Sequence, residues 1–207
     1  MVSSQRLAAR QGSLFGVLDP EVDTTFSDVR RIELDERSWV DLARGWLHGA
    51  DVVFDELLDV VPLRQRTNVQ MYDRLVDEPR MSAWWHVDGG QPEPLAILSE
   101  MRELLSLRYA EAFDSIGFNL YRDGRDSVAW HGDRHRHVVV DPIVAIVSVG
   151  SPRPLRLRPR GGGTSQSWDL GEGDLFVMGG ACQHEWEHTV PKVRHAEPRL
   201  SITFRNV

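Results

Sequence analysis

Between Pro94 and Ala112 apolar side chains return every three or four residues, at Leu95, Leu98, Met101, Leu104, Leu105 and Ala112. On a helix these positions line one face, so a core-packed helix is predicted here, with Pro94 at its entry. A second helical pattern runs from Asp35 to Val61. Ser38 is placed to cap it, Gly49 to break it, and Asp51 to cap a second piece with the apolar face Val53, Phe54, Leu57, Leu58 and Val61. Past residue 115 the period drops to two. Strands are predicted at about 116–122, 139–149, 154–159, 165–170, 174–178, 184–189 and 199–205, separated by Gly- and Pro-containing turns. Asp141-Pro142 reads as a bulge or a strand start. Residues from Pro62 to Gly90 fit neither period and are read as irregular. Helices first and then seven or eight antiparallel strands indicate an α+β chain, its strands wrapped as a jelly roll with an open mouth.

The last strand is chemically unusual. Arg199, Ser201, Thr203 and Arg205 share one parity, and Leu200, Ile202 and Phe204 the other. Alone, the pattern reads equally as an edge strand with solvated arginines or as a strand that turns two arginines inward, and the second is costly unless an anion meets them. A dicarboxylate would need two such cations. Upstream, Asn119 and Tyr121 also share a strand face. In Trp130-His131-Gly132-Asp133 the histidine and the aspartate stand two apart, so on a strand both point to one side. With a distant histidine they would form two imidazoles and one carboxylate, the facial triad of non-haem Fe(II) oxygenases. His184 and His188 have the same parity, and strand pattern does not choose between them.

Composition narrows the class. A chain of 207 residues suffices for one domain with a full core. Its 41% hydrophobic and 27% charged residues are ordinary for a soluble globular protein, and no apolar run reaches membrane-spanning length. Met1 to Pro20 lacks the apolar run of a secretory signal. The single cysteine, Cys182, rules out an intrachain disulfide and suits a reducing cytosol, so a cytoplasmic location is expected. The net charge of −7 argues against coating nucleic acid over the whole surface. A local basic track remains open, since Arg153, Arg156, Arg158 and Arg160 crowd one strand region, and Arg134, Arg136 and His137 follow the HxD pair. The glycine turns at 161–163 and 171–173 lack the lysine and following helix of a phosphate loop.

The stretches EPRMSAWW, FNLYRDGRDSVAWHGD, IVSVGSPRPLRLRPRGGG, GDLFVMGGACQHEWEHTVPK and PRLSITFR carry these features in order. Together they resemble the AlkB family of 2-oxoglutarate- and Fe(II)-dependent dioxygenases from about Glu78 to Arg205, with weaker support back to about Arg30. The resemblance implies a double-stranded β-helix with N-terminal helices and a nucleotide-recognition lid. It implies Fe(II) held by His131, Asp133 and His188, because the family histidine shortly precedes a proline and a basic residue, as in His188-Thr189-Val190-Pro191-Lys192. His184 then reads as a neighbour. It assigns 2-oxoglutarate to Asn119, Tyr121, Arg199, Ser201, Thr203 and Arg205. Two positions depart from the best-known bacterial members. Ser201 stands where they have an asparagine, and His135 where they have the aspartate that reads the exocyclic amine of the damaged base.

The implied activity is oxidative N-demethylation of alkylated bases in DNA or RNA, consuming O2 and 2-oxoglutarate and releasing formaldehyde, succinate and CO2. An alkylated base, flipped or single-stranded, would meet Tyr72, Trp84, Trp85, Trp130 and His135, with Arg156 and Arg158 on the phosphates. The expected organisation is a flexible segment over 1–24 and one domain over 25–207, with its lid at about 62–90 and its jelly-roll core at about 116–207. A monomer is expected, with no membrane partner. Two other classes compete: an oxygenase of the same fold acting on a protein or small molecule, and a silent binding module. The module is disfavoured, because it would be free to lose the HxD, the histidine or the arginines.

Overall fold

The computed structural model describes residues 19–67, 69–71, 74–132 and 140–206. The short strands β1 (Glu21–Val22) and β2 (Arg30–Glu33) lead into β3 (Ser38–Ala43), β4 (Leu47–His48) and helix α1 (Ala50–Val60). Next come β5 (Val69–Met71), β6 (Arg74–Val76), β7 (Met81–His86) and α2 (Ala96–Tyr109). The second half carries β8 (Ser115–Tyr121), β9 (Val128–His131), β10 (Val144–Gly150), β11 (Arg153–Pro159), β12 (Gln166–Leu170) and β13 (Asp174–Gly180). A single turn of helix, α3 (Cys182–Glu185), precedes β14 (Trp186–Val190), and β15 (Arg199–Arg205) comes last.

A seven-stranded sheet in the order β2-β3-β13-β10-β15-β8-β7 packs on a four-stranded sheet in the order β12-β11-β14-β9. This is the expected jelly roll. Side-chain alternation gives the large sheet two different faces. One is covered by α1 and α2: Val53, Phe54 and Leu57, then Leu98, Met101 and Leu105, meet Ala145, Val147, Leu175, Val177, Phe118, Leu200, Ile202 and Phe204. The other meets the small sheet, where Val144, Ile146, Phe176 and Met178 pack on Leu155, Leu157, Leu170, Trp186 and Val190. No helix among the described residues is long and apolar enough to cross a membrane.

Three expectations change. The segment from Ser38 to Ala43 is a strand, not a helix capped by Ser38. Val40 turns to the inter-sheet core and Ala43 to the helical side, and six consecutive pairings with β13 from Ser38 to Ala43 outweigh any local helical pattern. Its buried Asp41 accepts hydrogen bonds from Arg31 Nε at 2.8 Å and Tyr109 Oη at 3.1 Å, tying α2 to the sheet. At α1 the N-cap is Gly49, in the left-handed region at φ 66°, and Asp51 sits in the first turn. Third, Pro62 to Gly90 is not irregular: β5 and β6 form a hairpin, and β7 is the edge strand of the large sheet. Three of the seven strands in that sheet therefore precede residue 116. The flexible segment expected over 1–24 lies mostly outside the described residues.

Candidate active site

The open end between the sheets holds a cavity of about 360 Å³. His131 at the end of β9 and His188 in β14 are direct partners across that strand pair, their ring centroids 4.3 Å apart. A register shift lies beside them. Val128 pairs with Val190 and His131 with His188, so β9 uses one residue more than β14 over the same span. The bulge turns both Val128 and His131 into the cavity, although regular alternation would put them on opposite faces. His131 Nδ1 donates to Ala129 O at 2.8 Å, which leaves the lone pair on Nε2. His184 is elsewhere: its Nε2 bonds Val140 O at 3.0 Å, and it is not among the cavity-lining residues. Asp133 and His135 lie outside the described residues, as does Tyr72.

The wall opposite the histidines is the inner face of β10, β15, β8 and β7. Its register sets out rows of side chains. Ser148, Ser201, Asn119 and Ser82 form one row, and Ile146, Thr203, Gly117 and Trp84 the next. Arg199 enters beside Tyr121 at one end of β15, and Arg205 beside Ser115 at the other. Arg199, Ser201, Thr203 and Arg205 all line the cavity, as the alternation along the strand requires. Arg199 is 1% exposed. Its terminal nitrogen donates to Ser148 Oγ at 2.5 Å, and its Nε has no hydrogen-bond partner. Among the described residues no carboxylate pairs with it, and burial pulls its guanidinium down to about 10. Asn119 Oδ1 accepts from Arg80 Nε at 2.9 Å, which fixes its amide so that Nδ2 is the group left to donate. Arg66, Glu78 and Arg80 complete the mouth, with Glu78 3.4 Å from Arg66 and 3.9 Å from Arg80.

Several sequence-predicted substrate residues fall elsewhere. Trp84 lines the cavity, but Trp85, its neighbour on β7, points to the opposite face. It packs toward the helices and donates Nε1 to Gln91 O, so it is not a stacking group of this site. Trp130 lies on the outer face of the small sheet, its ring 4.1 Å below the Arg158 guanidinium. Arg158 itself is held by Glu187 at 2.6 Å. Arg156 is exposed beside it. Arg153 is no rim residue: it is buried and donates to the carbonyls of Asp123, Asp126 and Pro191. Arg160 bonds the carbonyls of His184 and Gln183 and packs against Gly132. The residues missed from sequence are Ser82, Ser148, Arg80 and Glu78. Ser148 shares the parity of Ile146 within a predicted strand, a usable signal. Ser82 had no periodic signal because β7 was not predicted, and Glu78 and Arg80 just before it stood only within the EPRMSAWW stretch, with no role read for them.

The model of the 2OG-Fe(II) oxygenase superfamily matches residues 67–205. The chain belongs to this superfamily. Within it the similarity is to AlkB homologues. The chain is 33% identical over 180 residues to the alpha-ketoglutarate-dependent dioxygenase alkB homolog 3 of Bos taurus, covering 78% of this chain and 63% of that one. It is 27% identical over 180 residues to the DNA oxidative demethylase ALKBH2 of Homo sapiens, covering 76% and 69%. The chain thus spans a little under two thirds of the length of the alkB homolog 3 relatives. Among solved structures, OsALKBH1 superposes with a TM-score of 0.58 at 14% identity over 86% of this chain and all of that one. A 2OG-Fe(II) oxygenase family oxidoreductase from Burkholderia pseudomallei gives the same score and identity over 80% and 84%. These two show the fold. The cofactors that define this oxygenase superfamily are Fe(II) and 2-oxoglutarate.

Proposed function

We propose that the chain is a dioxygenase that demethylates alkylated bases in nucleic acid. The carrying observation is Arg199: a fully buried cation without a carboxylate partner among the described residues, in the wall of a cavity that also presents His131 and His188. Such a group fits a carboxylate ligand. Arg205 is on the same strand face six residues on, and the polar row of Ser201 and Asn119 lies between them, so a dicarboxylate fits the wall. The two imidazoles fit a divalent metal, with Asp133 as the third ligand.

Bound iron and 2-oxoglutarate supply O2 activation and hydroxylation of an unreactive C–H bond. The chain does the rest. Arg199 and Arg205 neutralise and orient the two carboxylates, and the Asn119 amide donates between them. The Nδ1 bond of His131 to Ala129 O orients the ring so that Nε2 is the nitrogen turned to a metal. Leu155, Ile146 and Val190 dry the inner wall. The overall reaction would consume O2 and 2-oxoglutarate, with one oxygen atom going to the N-methyl group and the other to succinate, and would release CO2. The resulting N-hydroxymethyl group then loses formaldehyde and leaves N–H.

The substrate reading draws on the relatives, of which ALKBH2 is named a DNA oxidative demethylase. The base enters flipped or from a single strand, under the lid formed by the β5–β6 hairpin and β7. A second reading, a protein or small-molecule substrate, is favoured by the thinness of the basic rim, since Arg153 and Arg160 are committed to backbone carbonyls. Formaldehyde release from methylated DNA and RNA oligonucleotides, with Fe(II) and 2-oxoglutarate, decides between them. Succinate formed without formaldehyde on every oligonucleotide would favour the second.

A further inference from the structure

Trp84 is the aromatic side chain of β7 that reaches the cavity, and its ring does not stand over the histidines. It lies across β8 toward β15, with the Arg205 guanidinium 4.4 Å from the ring centroid. The register explains the reach. Trp84 pairs with Gly117, and Gly117 with Thr203, one row short of Arg205. A Cβ on Gly117 would stand 2.9–3.3 Å from three indole ring atoms, so a side chain there would displace the ring from its place across the strand. His86, next on the same face of β7, lies nearly parallel to the indole at 6.0 Å. Trp84 nevertheless keeps 47% of its surface exposed, which places its outer edge at the cavity mouth.

We propose that Trp84 is a positioning residue of the cosubstrate subsite: it holds the Arg205 guanidinium against its ring face, and is not a platform for a substrate base. This role rests on the reading of Arg205 as a 2-oxoglutarate contact. An arginine near the end of an edge-facing row has several rotatable bonds. A ring face restricts them and favours the cation through the flat face of the guanidinium, whereas a carboxylate is recognised at the edge of the planar fork. Gly117 belongs to the same device, since it makes room for the ring.

The test is calorimetric binding of 2-oxoglutarate to the Mn(II)-loaded protein under conditions without turnover, in parallel with binding of a methylated single-stranded oligonucleotide. Trp84→Ala should weaken 2-oxoglutarate about threefold to thirtyfold, the range a cation–π contact spans between exposed and desolvated sites. Trp84→Phe should recover most of that loss. Gly117→Ala, which keeps the indole but displaces it, should reproduce the Ala effect and covers the case of a poorly folded Trp84→Ala. On an Arg205→Ala background Trp84→Ala should add nothing, and oligonucleotide affinity should stay within about twofold. If Arg205→Ala weakens 2-oxoglutarate but Trp84→Ala and Gly117→Ala do not, the role of Trp84 is overturned alone. A loss confined to oligonucleotide binding overturns it too and makes the ring a base platform. If Arg205→Ala leaves 2-oxoglutarate binding unchanged, both this role and the reading of the cavity fall.

Discussion

His131 and His188 stand directly opposite each other on adjacent antiparallel strands, their rings 4.3 Å apart, because a one-residue bulge in β9 turns His131 inward. Two imidazoles that close on one cavity wall are a costly arrangement if both are protonated, and a useful one if both are neutral donors.

Substitution of either histidine is therefore expected to remove metal binding. His131→Ala and His188→Ala should each lower Mn(II) or Fe(II) affinity by more than about a hundredfold, exceeding the range for outer-shell partners. His184→Ala should leave it unchanged, since that side chain bonds Val140 O. Metal titration followed by calorimetry checks this. Loss of binding in His184→Ala with retention in His188→Ala would reverse the assignment.

Arg199 gives a test with two signs. Arg199→Met should weaken 2-oxoglutarate by well over tenfold, since a buried charged partner is worth on the order of 2–5 kcal/mol. The ligand-free protein should lose no thermal stability, because the substitution removes a buried cation that no carboxylate among the described residues compensates. Wild-type melting temperature should rise with added 2-oxoglutarate, and that of Arg199→Met should not. A large drop in the melting temperature of the ligand-free variant would mean that Arg199 is structural.

The arginines of β11 should separate into two kinds. Arg153→Ala abandons three carbonyls at one buried point and is expected to cost about 3 kcal/mol or more in denaturant unfolding. Arg156→Ala should leave stability within about 0.5 kcal/mol but lower the salt dependence of oligonucleotide binding by about one phosphate contact. Arg158→Ala should do less, since Glu187 already holds its guanidinium. A salt slope that ignores Arg156 would count against a nucleic-acid track on this face.

Asp35 supports the strand that carries His188. Burial pushes its carboxyl up, but the N–H groups of Arg37 and Ser38 and the Trp186 indole, 2.6 Å away, hold it below the ordinary value of 3.8. A depressed carboxyl stabilises the fold above its unfolded value and stops doing so as pH falls through the lower folded one. Asp35→Asn should thus melt lower than wild type at pH 7, and the gap should close below about pH 4. Melting curves across that range check it; a gap independent of pH would exclude the charge as the cause.

The second half of the chain was largely legible in sequence, and its limits have physical causes. β15 announces itself because one face is wholly apolar and the other holds two arginines, so Leu200, Ile202 and Phe204 fix which way Arg199 and Arg205 turn. β7 gave no such signal: in Met81–His86 alanine, serine and two tryptophans hide the alternation, and the side of Trp84 is settled only by pairing with β8. Ser38–Ala43 reads as a helix locally and becomes a strand because β13 offers it a continuous partner. The arginine cluster misled for another reason. Spacing in sequence counts charges but not the carbonyls that wait for them, and Arg153 and Arg160 have found theirs.

The pairing of β3 with β13 also bears on where the chain can be cut. The oxygenase signature begins at residue 67, yet β13 takes one of its two neighbours from Ser38–Ala43, and the outer core takes Val53, Phe54 and Leu57 from α1. A shortened chain starting at residue 67 would retain every proposed ligand of iron and cosubstrate. It would also present the bare backbone of Asp174–Gly180 and a stripped apolar sheet face to solvent, which favours edge-to-edge association over folding. The segment that identifies the chemistry is thus smaller than the segment that can fold around it.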